Sequence, residues 1–162
     1  MAKNFVPKII ERDQWLSPFR DIIIARHNKV LLEEESLCQG KSLKDFATGH
    51  LYYGLHKTNN GWVFREWAPN ATHIYLIGDF NNWTKNSQFQ LKRLENGNWE
   101  AYLPENFIQH GQKYKLLVFW NEGSAYRIPS YATYVIQDPL TLIFDAVVWN
   151  PDQKFEWKHP NF

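Results

Sequence analysis

Four carboxylates stand in or beside segments with strand-like patterning: Glu66, Asp79, Glu100 and Asp138. Glycoside chemistry needs two carboxyl groups held across a rigid cleft. The spacing places no two of these across a cleft, and turn and strand-end positions account for them. The six histidines, at 27, 50, 56, 73, 110 and 159, share no tight zinc-ligand spacing with one another or with the single cysteine, Cys38. Cys38 falls at the end of a helical stretch with no base placed to activate it. There is no glycine-rich phosphate loop and no dinucleotide fingerprint. The residues therefore point to no catalytic centre, no metal and no cofactor.

What the chain has in excess is aromatic side chains: 17% of residues, with 8 Trp, 8 Tyr and 11 Phe. Large rings pack β cores, but a small sandwich has limited interior, so some indoles must reach the surface. A flat exposed ring can cover the C–H face of a sugar while amides and ammonium groups meet its hydroxyls. The stretch GDFNNW, residues 78–83, raises this possibility directly, because Trp83 follows two asparagines where a turn belongs. Asn82 suits a left-handed turn position, and Asp79 is expected to accept hydrogen bonds from turn amides. Trp62, Trp67 and Trp99 alternate with polar neighbours and are expected in the core, with Arg65 and Glu66 decorating the strand.

The elements that would position these residues differ along the chain. Up to residue 49 the texture is helical. Ser17 is a candidate N-cap with Pro18 at the first helical position. Ile22, Ile23, Arg26, Val30 and Leu31 follow a helical period, and Gly40 is a plausible stop. Ser42 and Asp45 have capping-box spacing, and Gly49 is expected to end a short helix. From residue 50 the pattern turns strand-like, with segments expected near 51–56, 62–67, 73–78, 98–103, 113–119, 124–127, 133–137 and 142–148. TNNG, APNA, ENGN, NEGS and QDP punctuate them. Many short strands with regular turn signals predict a mainly β fold, an Ig-like antiparallel β-sandwich with an N-terminal α-helical extension.

The length of 162 residues suits one domain plus an appendage and is too short for a (β/α)₈ barrel. A net charge of +1 gives no electrostatic case for nucleic acid or an anionic membrane. No segment approaches a membrane span, and the N-terminus lacks a signal-peptide core. With one cysteine, these features favour a cytoplasmic protein.

GWVFREWAPNATHIYLIGDFNNW, residues 61–83, resembles the N-terminal carbohydrate-binding module, family 48, of 1,4-α-glucan (glycogen or starch) branching enzymes. An aromatic-rich strand, EWAP, a short gap, an apolar strand and G-D-F-N-x-W come in the family's order. GNWEAYLP and HGQKYKLLV are similar to the next two strands. YRIPSYATYV and WNPDQKFEWKH resemble the eukaryote-type enzymes in particular. The resemblance implies a helical segment at 1–49, the β-sandwich module at 50–149 and a linker at 150–162 leading to a catalytic barrel that this chain lacks. It implies a non-catalytic, N-terminal part of a parent enzyme that cleaves α-1,4 chains and transfers segments to 6-hydroxyls. Its expected partners are α-1,4-glucan (glycogen or maltooligosaccharide) and the parent's own barrel.

Related modules, such as that of the AMP-activated protein kinase β subunit, use the Trp of the F-N-x-W turn, a Lys of the Y-K strand and a second Trp after the next turn. The first two correspond to Trp83 and Lys115. At the third place stands Tyr126, with Trp120 before the turn. Asn82 completes the candidate carbohydrate-binding set. Two other roles fit the same residues: a structural module that packs on the barrel without sugar, and a stand-alone glycogen-targeting module.

Overall fold

Strand alternation decides which side chains this chain buries. In the computed structural model, which describes residues 7–153 and 155–159, β2 (Gly61–Trp67) sends Trp62 and Phe64 inward, and β5 (Asn98–Leu103) sends Trp99, Ala101 and Leu103 to meet them. With β1 (Gly54–Thr58) and β4 (Lys92–Arg93) these form one antiparallel sheet in the order β1-β2-β5-β4. The facing sheet runs β3 (His73–Gly78), β6 (Lys113–Trp120), β9 (Phe144–Val147) and β8 (Val135–Gln137). β7 (Gly123–Arg127) also pairs with β6. Ile74, Leu76, Tyr114, Leu116 and Ala146 are its contribution to the shared core. This is an Ig-like β-sandwich.

The chain changes sheets twice at one end of the sandwich. Residues 79–91 lead from β3 to β4, and a short turn, Glu105–Phe107, lies between β5 and β6. On the facing sheet, β7 and β9 share one edge of β6. β9 pairs with Lys113 and Tyr114, and β7 pairs with residues 116–120, so Lys115 stands opposite the seam.

Among the described residues, those up to Thr48 form one compact unit and those from Gly49 onward another. The first holds α1 (Lys8–Arg12), α2 (Arg20–Cys38) and α3 (Leu43–Phe46). The Ser42–Asp45 capping box is present, with Ser42 Oγ accepting from the Asp45 N–H at 3.2 Å and Asp45 Oδ2 accepting from the Ser42 N–H at 3.2 Å. The Ser42 hydroxyl, which donates to Asp45 Oδ2 at 2.7 Å, and after it the Ser42 N–H hold the Asp45 carboxyl below its ordinary range.

Three local expectations need correction. Ser17 is not the N-cap: a 3₁₀ turn over Gln14–Phe19 precedes α2, and Asp13 caps it by accepting from Trp15 N–H at 3.0 Å. Gly49 begins rather than ends a helix, α4 (Gly49–Tyr52), so β1 starts later than expected. Trp67 is exposed while Trp62 and Trp99 are buried. Trp62 and Trp67 lie five positions apart, an odd offset, so one strand cannot turn both to the same face. The inward place goes to Glu66. Residues 1–6, within the expected helical segment, and 154 and 160–162, within the expected linker, lie outside the described residues.

Candidate carbohydrate-binding face

Gly78 ends β3 with extended backbone where the chain runs against β6. A Cβ there would lie 2.3 Å from the Lys113 carbonyl and 2.9 Å from the Phe80 ring, so glycine is needed for close approach. A 3₁₀ turn, Asp79–Asn81, follows. Asn81 ties it down: its Oδ1 accepts from Gly78 N–H at 2.9 Å and its Nδ2 donates to the Leu76 carbonyl at 3.0 Å. Asn82 and Trp83 then both take left-handed conformations, with φ of 53° and 57°. Asn tolerates that region; for a bulky indole it is unusual and costs on the order of 1–3 kcal/mol.

Two contacts hold Trp83 there. Its backbone N–H donates to the Gly78 carbonyl at 2.9 Å. Its indole N–H donates to Asp79 Oδ1 at 2.9 Å. The other oxygen of Asp79 accepts from Lys113 N–H at 2.7 Å, fixing the carboxylate to β6. Asp79 therefore serves a side chain and a neighbouring strand rather than the amides of its own turn.

The indole lies on the outer face of the β3–β6 sheet. Lys115 Nζ is 5.9 Å from its ring centroid, within cation–π range. Lys115 alternates with the core residues Tyr114 and Leu116, so its side chain is on the outer face too. Its ammonium pairs with Asp145 Oδ1 at 2.8 Å, both side chains 13% exposed. Asp145 occupies the outer face of β9, between the sequence-adjacent Phe144 and the buried Ala146.

One transverse row away on the same face, Tyr75, Leu117 and Tyr126 sit side by side across β3, β6 and β7. Tyr126 is exposed. The structure thus brings Trp83, Lys115 and Tyr126 to one face. Trp120 is not with them: alternation sends it to the side of β6 that carries Tyr114, Leu116 and Val118, where Arg127 lies 5.9 Å from its ring. Asn82 shapes the turn and lines a cleft at the sandwich end that neither Trp83 nor Lys115 lines.

Sequence reasoning missed Asp145. An acidic residue in the apolar run LIFDAVV was the available signal, since a charge in such a strand needs a partner. It misassigned Glu66, which is buried, with one carboxylate oxygen accepting from Trp67 N–H at 3.2 Å and the other from Ser130 N–H at 3.0 Å. Glu66 is a structural brace between EWAP and YRIPS, not a strand decoration. Among the described residues no group of three or more His, Cys, Asp or Glu could hold a metal, and no helix is long and apolar enough to cross a membrane.

The family model of carbohydrate-binding module 48 (isoamylase N-terminal domain) matches residues 52–132. The chain belongs to the carbohydrate-binding module 48 family. The matched span includes Trp83, Lys115 and Tyr126 and ends before Asp145. Similar curated proteins are 1,4-alpha-glucan-branching enzymes. That of Dictyostelium discoideum is 38% identical over 159 residues, 94% of this chain and 23% of the relative. That of Yarrowia lipolytica is 34% identical over 162 residues, again 94% and 23%. The chain thus spans about a quarter of the length of these relatives. Among solved structures, the pullulanase type I of Bacillus subtilis str. 168, complexed with maltose, is similar over 67% of this chain and 14% of its own, with 27% identity and a TM-score of 0.52. Carbohydrate-binding module 48 is a non-catalytic domain type.

Proposed function

We propose that this chain is the α-glucan-binding, non-catalytic part of a 1,4-α-glucan branching enzyme, with residues 1–49 a helical segment, 50–149 the module and 150–162 a lead toward a catalytic barrel. The observation that carries the reading is Trp83. Its indole is partly exposed, tethered at its edge by Asp79 and held in a left-handed backbone conformation. Such strain in a bulky residue fits a surface kept ready for a ligand.

A glucose ring laid on the indole would remove on the order of 100 Å² of apolar area from water, about 2–3 kcal/mol. A millimolar site needs about 4 kcal/mol. Lys115 and the Tyr126 hydroxyl supply hydrogen-bond donors for the sugar rim. Repeated contacts along a polymer raise the effective affinity further. Native gel electrophoresis through glycogen tests this. The 162-residue chain should be retarded relative to a glycogen-free gel, and Trp83→Ala should lose most of the retardation. Equal mobility of the wild-type chain in both gels would contradict the reading.

A second role fits a different surface. The β8–β9 hairpin exposes Leu140, Leu142, Ile143 and Phe144 together. Contiguous exposed apolar side chains mark contact surfaces, and the relatives extend well beyond the length matched here. This hairpin is the candidate for packing against the barrel of the same parent chain.

A further inference from the structure

The loop that carries Trp83 has another side. Between it and the Glu105–Phe107 turn lies an open cleft of about 400 Å³, at the end of the sandwich where both sheet-to-sheet crossovers run. Its polar lining is Asn81, Asn82, Thr84, Asn86, Gln88 and Asn106. Its floor is apolar: Phe80 stacks on Phe89 at 5.0 Å between centroids, and Phe89 meets Phe107 at 5.4 Å.

The chemistry of that lining is selective. It contains no Asp, Glu, Lys, Arg or His, which argues against a phosphate, a carboxylate or a cation as ligand. It is too rich in amides for a purely apolar one. Carboxamides both donate and accept, as hydroxyl groups do. Asn81 uses both ends of its amide in the turn. The Asn82, Gln88 and Asn106 side chains form no hydrogen bond to any described residue. Asn86 uses only its Oδ1, accepting from Gln88 N–H at 2.9 Å. Several free amides above a phenylalanine floor match an uncharged, hydroxyl-rich ring with C–H faces.

We infer that this cleft is a second carbohydrate subsite, taking an α-glucan segment that crosses the 79–89 loop from the Trp83 face. Asn82 and Thr84 flank Trp83 in sequence yet line the cleft, so one oligosaccharide lying over the loop meets both surfaces. The inference rests on the glucan-binding reading of the module, and it differs from it in residues and in chemistry.

The test is an NMR titration of the 162-residue chain with maltoheptaose and, separately, with glucose. The Gln88 and Asn106 side-chain amide signals report the cleft; the Trp83 indole N–H reports the face. With maltoheptaose both sets should move with one dissociation constant, and glucose should saturate neither at the same concentration. Gln88→Ala with Asn106→Ala should raise that constant about two- to tenfold, as loss of one or two hydrogen bonds does, and leave the indole shift in place. Movement of the indole with silent amides overturns the cleft and spares the proposed function. Silence of both overturns the two together. Saturation by glucose as readily as by maltoheptaose overturns the assignment to a chain. The wild-type amide signals decide the matter even if the double variant does not fold.

Discussion

At the scale of single residues, two acidic side chains divide the work that their sequence neighbours suggested for aromatics. Asp79 holds the indole of Trp83 and clamps the turn to β6 through Lys113 N–H. Glu66 is buried between EWAP and the loop after β7, and its negative charge is felt inside the sandwich. Tyr114 shows this: burial first, and Glu66 second, push its phenol well above its ordinary value of 10.0. Tyr53 shifts the same way, mainly through burial. A group whose folded pKa is raised contributes stability in full below its unfolded pKa and loses it as pH climbs past that value. On the alkaline side the urea midpoint should therefore hold steady from about pH 8 to about pH 10 and fall above it. Tyr114→Phe should flatten that loss; an unchanged alkaline slope in the variant would show that Tyr114 does not carry it. Glu66 and Trp67 were legible from parity alone, since residues 62, 64 and 66 must share a face. Asp145 was harder, because its partner Lys115 is 30 residues away and only the β6–β9 register joins them.

Among elements, β6 organises the candidate site. It pairs with β3 along its length and with β7 and β9 end to end on the other edge. Short strands bounded by Gly, Asn and Pro made most of the β segments readable, because turn chemistry is local. The helical boundaries were less so. Asp13 and Ser17 are both good caps, and nothing local says which one the 3₁₀ turn selects. β4, only Lys92–Arg93, has no period to read. The β8–β9 hairpin carries its own expected outcome. Replacing Leu140 and Ile143 by Ser should leave the melting temperature of the 162-residue chain unchanged, as both are exposed. In a complete branching enzyme the same pair should lower it by at least about 2 °C, if the hairpin packs on the barrel. No difference between the two backgrounds would remove the hairpin as that contact.

For the molecule as a whole, the fold class was legible and the distribution of surfaces was not. Alternation and turns predict a sandwich, but which outer face stays open depends on pairings between distant strands. That is why Tyr126 and Trp120, six residues apart, part company: β7 pairs back on β6 and puts Tyr126 on the Lys115 face, whereas Trp120 stays on the other. The module then presents an aromatic face, an amide-lined cleft and an apolar hairpin, each with different chemistry. The claim on which the others depend is that the open indole of Trp83 is a glucan contact. The most direct test follows the Trp83 indole N–H resonance of the folded 162-residue chain during titration with maltoheptaose. A saturable shift with a dissociation constant in the millimolar range, together with loss of glycogen retardation in Trp83→Gly while the melting temperature is retained or raised by relief of the left-handed backbone, is the predicted result. A Trp83 signal that does not move at tens of millimolar ligand would contradict it.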